Sequence, residues 1–205
     1  WLGIFSFSTL PFILINHLTF TQAAFEAVSG WTTTGLSVVD VTTAPHCILI
    51  FRSIIQLLGG AGLAVIMLAS ITGPTGTGHS IAEGRGEQLV PHVKESAKLV
   101  MMIYTGYAIA GTIAYMVVGM SPFDAINHAF AAISTGGFST KPDSIGAWDS
   151  LSVESISIVL MILGSLNFLT AYLLFKGKMR SVFRNGEVHV IGILFPVGIA
   201  VLFFK

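Results

Sequence analysis

Two short runs of hydroxyl residues and glycine are the part of this sequence best suited to chemistry. Thr32–Gly35 reads TTTG and Ser134–Gly137 reads STGG; they are called the first loop and the second loop below. Backbone carbonyl and hydroxyl oxygens can replace the hydration shell of a monovalent cation, and glycine permits the backbone angles that aim successive carbonyls at one point. Neither loop contains a carboxylate, the ligand that a divalent-selective site usually supplies. The loops therefore favour a large monovalent cation.

The composition around these loops is that of a membrane protein. Of the 205 residues, 53% are hydrophobic and 10% are charged, whereas soluble domains carry roughly 25% charged residues. The formal net charge is zero, which argues against a nucleic-acid partner and leaves membrane lipid as the expected surroundings. The single cysteine excludes a disulfide framework and a cysteine-based metal site.

Apolar runs predict the elements that position the loops. Four runs approach the roughly 20 residues that a membrane-spanning helix needs: Pro45–Ile71, Ala97–Met120, Val153–Phe175 and Val188–Phe204. Trp1–Ile15 resembles the end of a fifth. They predict an all-α integral membrane fold. Because both ends of the chain lie in apolar runs, we expect a piece of a longer protein.

Two apolar stretches before the loops, Gln22–Trp31 and Asp124–Ser134, are too short to cross a bilayer. Each would be ~15 Å long, half the hydrocarbon core. A capping hydroxyl, Thr19 or Ser121, precedes each. They predict re-entrant half-helices, whose carboxyl ends attract cations through the helix dipole. The irregular backbone beyond them must be buried in protein or line a water-filled cavity.

Basic residues set the predicted orientation. They cluster between Arg85 and Lys98 and again between Lys176 and Arg184. Since cytoplasmic loops carry an excess of lysine and arginine, both clusters are expected inside the cell. The half-helices and the two loops then open towards the outside.

An internal repeat relates the two loops. Gly35 and Gly137 lie 102 positions apart, as do Thr33 and Thr135, and the same offset aligns the following apolar runs without a gap. The repeated unit is a span, a pore half-helix, a loop and a span. The predicted segments are a first repeat with a truncated start in residues 1–72, a cytoplasmic loop in 73–96, a second repeat in 97–176, and a cytoplasmic loop with the start of a third repeat in 177–205.

Longer motifs around these positions resemble a known family. They are Phe25–Gly35, Arg52–Gly62, His128–Thr140, and Gly164 followed by Asn167 and Phe168. In this order they are similar to the Trk/Ktr/HKT potassium transporters, most closely to the bacterial TrkH type. The resemblance covers nearly the whole chain.

The resemblance implies four span–pore–span repeats around one pore, each with one filter strand and a central glycine. In the first strand this glycine is Gly35, and the carbonyls of Thr33 and Thr34 precede it. The register of the second strand stays open between two choices: Gly137 preceded by Thr135 and Gly136, or Gly136 preceded by Ser134 and Thr135. Potassium at these carbonyls is the only ion implied, without an organic cofactor.

The family further implies potassium uptake by a multi-pass protein of the cytoplasmic (inner) membrane, not an enzyme. It implies a homodimer and a cytoplasmic nucleotide-binding regulatory subunit. Two of four strands cannot close a ring, so we expect the missing half to come from elsewhere. A symporter of the same fold, coupling K⁺ to Na⁺ or H⁺, is the alternative, and the loops could also be tight turns packed in a transporter bundle.

Arg52 lies inside an apolar run, where an arginine must face protein or water and find a partner. We expect it to bond carbonyls or a carboxylate behind the first loop; snorkelling to the membrane surface is the alternative. The 102-residue offset places Glu154 at the equivalent position, so Glu154 is a candidate partner.

An intramembrane enzyme is the alternative from a different class. Gly73–Ser80 mimics a phosphate-binding loop, but His79 replaces the lysine and no strand precedes it. Ser29 and His128 could form a serine–histidine pair, yet they fall at non-equivalent positions of the two half-helices. A cytoplasmic loop and a packed half-helix histidine are the simpler interpretations.

Overall fold

A computed structural model describes residues 2–72, 93–166 and 168–203. These residues form helices and turns without a β-strand, as predicted. The helices are α1 (Leu2–Leu14), α2 (Phe20–Trp31), α3 (His46–Thr72), α4 (Val93–Val117), α5 (Pro122–Ile133), α6 (Leu151–Ser165), α7 (Phe168–Phe175), α8 (Met179–Phe183) and α9 (Gly186–Phe203), with a 3₁₀ turn at Ser144–Trp148. The chain divides into two compact units, residues 1–165 and 166–205.

The two half-helices are α2 and α5, each of 12 residues. Their predicted caps are present. The Thr19 N–H donates to Gln22 Oε1 at 3.0 Å, and the Asp124 N–H donates to Ser121 Oγ at 3.1 Å. Because these bonds satisfy amide groups that lack a partner inside the helix, the starts of both half-helices are fixed by local sequence.

The spanning helices agree with prediction in place but less well in length. By length and composition, one described segment, Ala97–Val117 of α4, could cross a membrane. Shorter apolar segments lie in α1, α3, α6 and α9. The run predicted as one span over Val153–Phe175 is divided between two helices, since α6 ends at Ser165 and α7 begins at Phe168. Glycine and serine, with modest helix propensity, stand where α6 ends.

The first unit has a core between α1, α2 and α3. Phe12 and Ala27 are fully buried there, and Ile55 of α3 packs with them. Buried polar contacts tie α3 to the second half-helix, because Ser53 Oγ donates to Asn127 Oδ1 at 2.6 Å. Buried polar groups need such partners. Helix α3 therefore packs against α2 through apolar side chains and is hydrogen-bonded to α5.

Each half-helix ends against a glycine of the helix that follows its loop. A Cβ on Gly59 would collide with the Trp31 carbonyl, and a Cβ on Gly164 would collide with the Ile133 carbonyl in the same way. The gap-free alignment, which pairs Gly62 with Gly164, is therefore wrong beyond the loops. The segment between α5 and α6 is three residues longer than that between α2 and α3, and holds the 3₁₀ turn.

In the second unit, α7, α8 and α9 follow one another with short turns. The described side chain of Val182 in α8 is buried. The 177–205 segment predicted as a loop and the start of a further span thus contains α8 and the helix α9.

Replacing Gly59 by alanine should destabilise the contact between α2 and α3. The added methyl must displace the Trp31 backbone, and overpacking of this kind costs about 1–3 kcal/mol. We expect a lower melting temperature for the detergent-solubilised full-length protein. Gly62→Ala on the same helix is the matched control, since a Cβ there meets nothing within 4 Å. Equal melting temperatures for the two variants would contradict this packing.

Candidate ion-coordination site

Both loops turn at the carboxyl end of a half-helix by the same hydrogen bonds. The N–H groups of Thr33 and Thr34 donate to α2 carbonyls at 3.1 and 2.9 Å, and those of Thr135 and Gly136 donate to α5 carbonyls at 3.2 and 2.9 Å. The donors thus point back into the half-helices. The carbonyl oxygens of Thr33, Thr34 and Thr135 accept no hydrogen bond within the described part of the chain, which leaves them able to coordinate a cation.

The backbone angles of the loops also match. Thr33 and Thr135 have φ of +54° and +52°, and Gly35 and Gly137 follow with +79° and +112°. Positive φ is unusual for a β-branched residue, and holding one there costs about 1–3 kcal/mol. Two such threonines at matched positions show that the surrounding structure enforces the turn.

The two loops meet at their glycines. A Cβ on Gly35 would collide with the Gly136 carbonyl and lie 3.2 Å from the Gly137 Cα. The two backbones therefore approach each other more closely than a side chain at position 35 would allow. This contact brings the Gly136 carbonyl of the second loop against the backbone of the first loop.

A buried ion pair supports the first loop from behind. Glu26 is fully buried and Arg52 is 2% exposed. Arg52 Nε lies 2.7 Å from Glu26 Oε1, in ion-pair rather than linear hydrogen-bond geometry, and Arg52 Nη2 donates to Ser37 Oγ at 2.8 Å. The Ser37 hydroxyl and the Val38 N–H donate to the two Glu26 oxygens at 2.9 and 3.0 Å. The pair thereby fixes the strand that leaves the first loop.

An imidazole takes the corresponding place behind the second loop. His128 lies 102 positions after Glu26 and is 3% exposed. His128 Nδ1 lies 2.8 Å from the Asp124 carbonyl oxygen, which can only accept, so this nitrogen carries the proton. Nε2 then accepts from Ser139 Oγ at 3.0 Å, and Ser139 Oγ also accepts the Lys141 N–H at 2.9 Å.

A cavity of 340 Å³ opens beside the loop glycines, and its lining includes Gly35, Gly137, Asp40 and Lys141. The Thr42 hydroxyl and N–H donate to Asp40 Oδ1 at 2.6 and 2.9 Å. These bonds lower the pKa of the exposed Asp40 carboxyl. The rim of the cavity therefore carries an ionised carboxylate and an ammonium group next to the two loops.

Of the predicted supporting residues, Arg52 lies behind the first loop and Glu154 does not. Arg52 is buried and paired with Glu26, so the snorkelling alternative is wrong in this structure. The proposed pairing with Glu154 is also wrong, because Glu154 is exposed in the first turn of α6. The longer second connection shifts α6 by three residues, and Ser157 takes the place that the gap-free alignment gave to Glu154.

The residues of the enzyme alternatives are engaged elsewhere or not described. Ser29 Oγ donates to the Leu36 carbonyl at 2.6 Å, while His128 binds Ser139. They do not form a serine–histidine pair. Gly73–Ser80 lies outside the described residues.

Sequence reasoning missed two buried residues of this site, Glu26 and Gln56. The sequence held a signal for Glu26, because residues 1–72 contain three charged side chains, those of Glu26, Asp40 and Arg52. A buried charge requires a counter-charge, and Glu26 was available for Arg52. Gln56 gave no comparable signal, because it is an uncharged side chain in an apolar run.

Comparisons with known proteins agree on one family. The TrkH family, described as cation transport protein, matches residues 6–203. The Trk system potassium uptake protein TrkH of Escherichia coli K12 is 36% identical over 208 residues, which cover 96% of this chain and 43% of that protein. The TrkI protein of Halomonas elongata, also named a Trk system potassium uptake protein, is 31% identical over 92% of this chain and 40% of its own length.

Among solved structures, the potassium transporter TrkH from Vibrio parahaemolyticus matches with a TM-score of 0.74 and 34% identity, over 86% of this chain and 36% of that one. The chain thus spans less than half the length of these relatives. Their names describe potassium uptake and potassium transport. With its paired loops and this extent of similarity, the chain belongs to the TrkH family of cation transport proteins.

Proposed function

We propose that this chain supplies two adjacent strands of a potassium filter in a protein that takes up potassium across the cytoplasmic membrane. The observation that carries the proposal is the meeting of the two loops, backbone to backbone, at Gly35 and Gly137. The residues before these glycines carry carbonyl oxygens that accept no hydrogen bond in the described part of the chain, and carbonyls can replace the water around a monovalent ion. The names of the relatives identify that ion as potassium in those proteins.

For the second strand we assign Gly137 as the counterpart of Gly35, preceded by Thr135 and Gly136. The positive φ of both glycines supports this register. The Ser134 carbonyl, which the other register would use, accepts the Thr135 hydroxyl at 2.7 Å. An ion ligand at Ser134 would have to share that oxygen.

We further propose two span–half-helix–loop–span repeats, in residues 1–72 and 97–176, that differ by the three residues added after the second loop. Matched caps, matched loop angles and the paired glycine contacts at the half-helix ends support this division. Two further strands must come from the rest of the protein. The family resemblance adds a homodimer and a cytoplasmic nucleotide-binding regulatory subunit to the proposal.

Alanine at Gly35 or Gly137 should disable potassium uptake by the full-length protein. Both positions need positive φ, which costs an L-residue roughly 1–2 kcal/mol, and relief of this strain would turn a carbonyl away from the ion. We expect an uptake rate at least about tenfold lower, since tenfold corresponds to about 1.4 kcal/mol. Rubidium-86 uptake in cells without other potassium systems measures it.

Gly146→Ala is the matched control for these variants, because a Cβ at Gly146 meets nothing within 4 Å and its φ is not in the restricted range. It should transport at the normal rate. Normal uptake by both Gly35→Ala and Gly137→Ala would refute the filter assignment.

Removing the charge of Arg52 should destabilise the protein, because Glu26 would stay buried without a counter-charge. Breaking a buried pair in this way costs about 3–5 kcal/mol. We expect Arg52→Gln to lower the melting temperature in detergent, and the double variant with Glu26→Gln to recover part of the loss. Arg184→Gln, at an exposed position, is the control. An unaltered melting temperature for Arg52→Gln would show that the pair does not support the first loop.

A further inference from the structure

The residue after the second loop, Phe138, is held by two side chains of α3. Its N–H donates to Gln56 Oε1 at 3.3 Å, and its ring lies under the Arg52 guanidinium with 4.2 Å between Cζ and the ring centroid. Phe138 is only 3% exposed. Arg52 and Gln56 are four residues apart and therefore lie on one face of α3. A helix that follows the first loop thus contacts the exit of the second loop.

The side chain of Gln56 lies against the second loop. Its side chain is fully buried, and its Nε2 has no hydrogen-bond partner among the described residues. A Cβ on Gly136 would collide with the Gln56 amide. A side chain at position 136 would therefore displace Gln56, whereas glycine at 137 is favoured by its backbone angle.

Burial of a glutamine with an unused N–H₂ group is costly, since the buried group gives up its hydrogen bonds to water and gains none in return. Packing alone would favour an apolar residue of similar size. The corresponding helix α6 has one: Met161 lies three residues before Gly164, as Gln56 lies three residues before Gly59. Gln56 accepts a hydrogen bond from the Phe138 N–H. A methionine in its place has no amide oxygen to accept this bond.

We propose that Gln56 is a positioning residue that sets the path of the second filter strand. The bond to Phe138 fixes the chain next to Gly137 and so fixes the direction of the carbonyls before it. Arg52 extends the same face of α3 to the first strand, because it donates to Ser37 and covers the Phe138 ring. One helix face therefore holds both strands in register. This inference rests on the filter function proposed above.

The test uses the full-length protein and the ratio of potassium to sodium uptake. Gln56→Met keeps the volume and removes the acceptor, whereas Gln56→Glu keeps an acceptor oxygen. A neutral hydrogen bond corresponds to about a fivefold change in an equilibrium, and we expect Gln56→Met to lower the ratio by roughly that factor. Gln56→Glu should retain most of the selectivity. Ile54→Met, at a half-exposed position of the same helix, should match the unaltered protein.

The same bond can be removed from the other side. Replacement of the Phe138 amide by an ester, through incorporation of the α-hydroxy acid of phenylalanine, deletes the donor and leaves every side chain in place. We expect the same loss of selectivity. If Gln56→Met does not fold, the ester variant still tests whether the bond between Gln56 and Phe138 sets the selectivity.

An unchanged uptake ratio in the ester variant would overturn the role of Gln56. The filter assignment is tested separately, by the uptake rate of Gly137→Ala. Loss of uptake in Gly137→Ala with normal selectivity in the Gln56 and ester variants would retain the filter and reject the positioning role. Normal uptake in Gly137→Ala would reject the filter itself.

Discussion

The buried ion pair between Arg52 and Glu26 is the contact on which the arrangement of both loops depends. Two charges withdrawn from water cost several kcal/mol each, and they persist here because Ser37 and Val38 supply further hydrogen bonds to the carboxylate. The pair joins α2, α3 and the strand after the first loop into one body. It adds to the hydrogen bonds of the Thr33 and Thr34 N–H groups, which turn the first loop at the end of α2.

Support from behind matters because carbonyl oxygens that face an ion cannot hold their own backbone in place. In the first loop this support is an ion pair, and in the second it is a neutral imidazole, His128, bonded to Ser139. Since Arg52 offsets the charge of Glu26, neither arrangement places a net charge directly behind the loops. The coordinating field then comes from carbonyl dipoles and half-helix ends, which suits a monovalent cation.

Local chemistry decided how well the sequence predicted this structure. The half-helices were found to within two residues because capping side chains mark their starts, and the loop glycines were found because few residues tolerate such angles. The offset of 102 residues holds up to the loops but fails for α6, since an insertion in a connection carries no hydrophobic signal. The break between α6 and α7 was missed because Gly164 and Ser165 are outnumbered by the apolar residues on both sides of them. Partners distant in sequence, such as Gln56 and Phe138, depend on packing that no local pattern encodes.

The most direct test of the account is the location of the ion. A crystal structure of the full-length protein, from crystals grown with thallium or rubidium, would show where a potassium-like ion binds, because both ions scatter anomalously. We predict an anomalous peak coordinated by the carbonyl oxygens of Thr33, Thr34, Thr135 and Gly136, next to Gly35 and Gly137. A pore ion coordinated elsewhere, with no peak at these carbonyls, would contradict it.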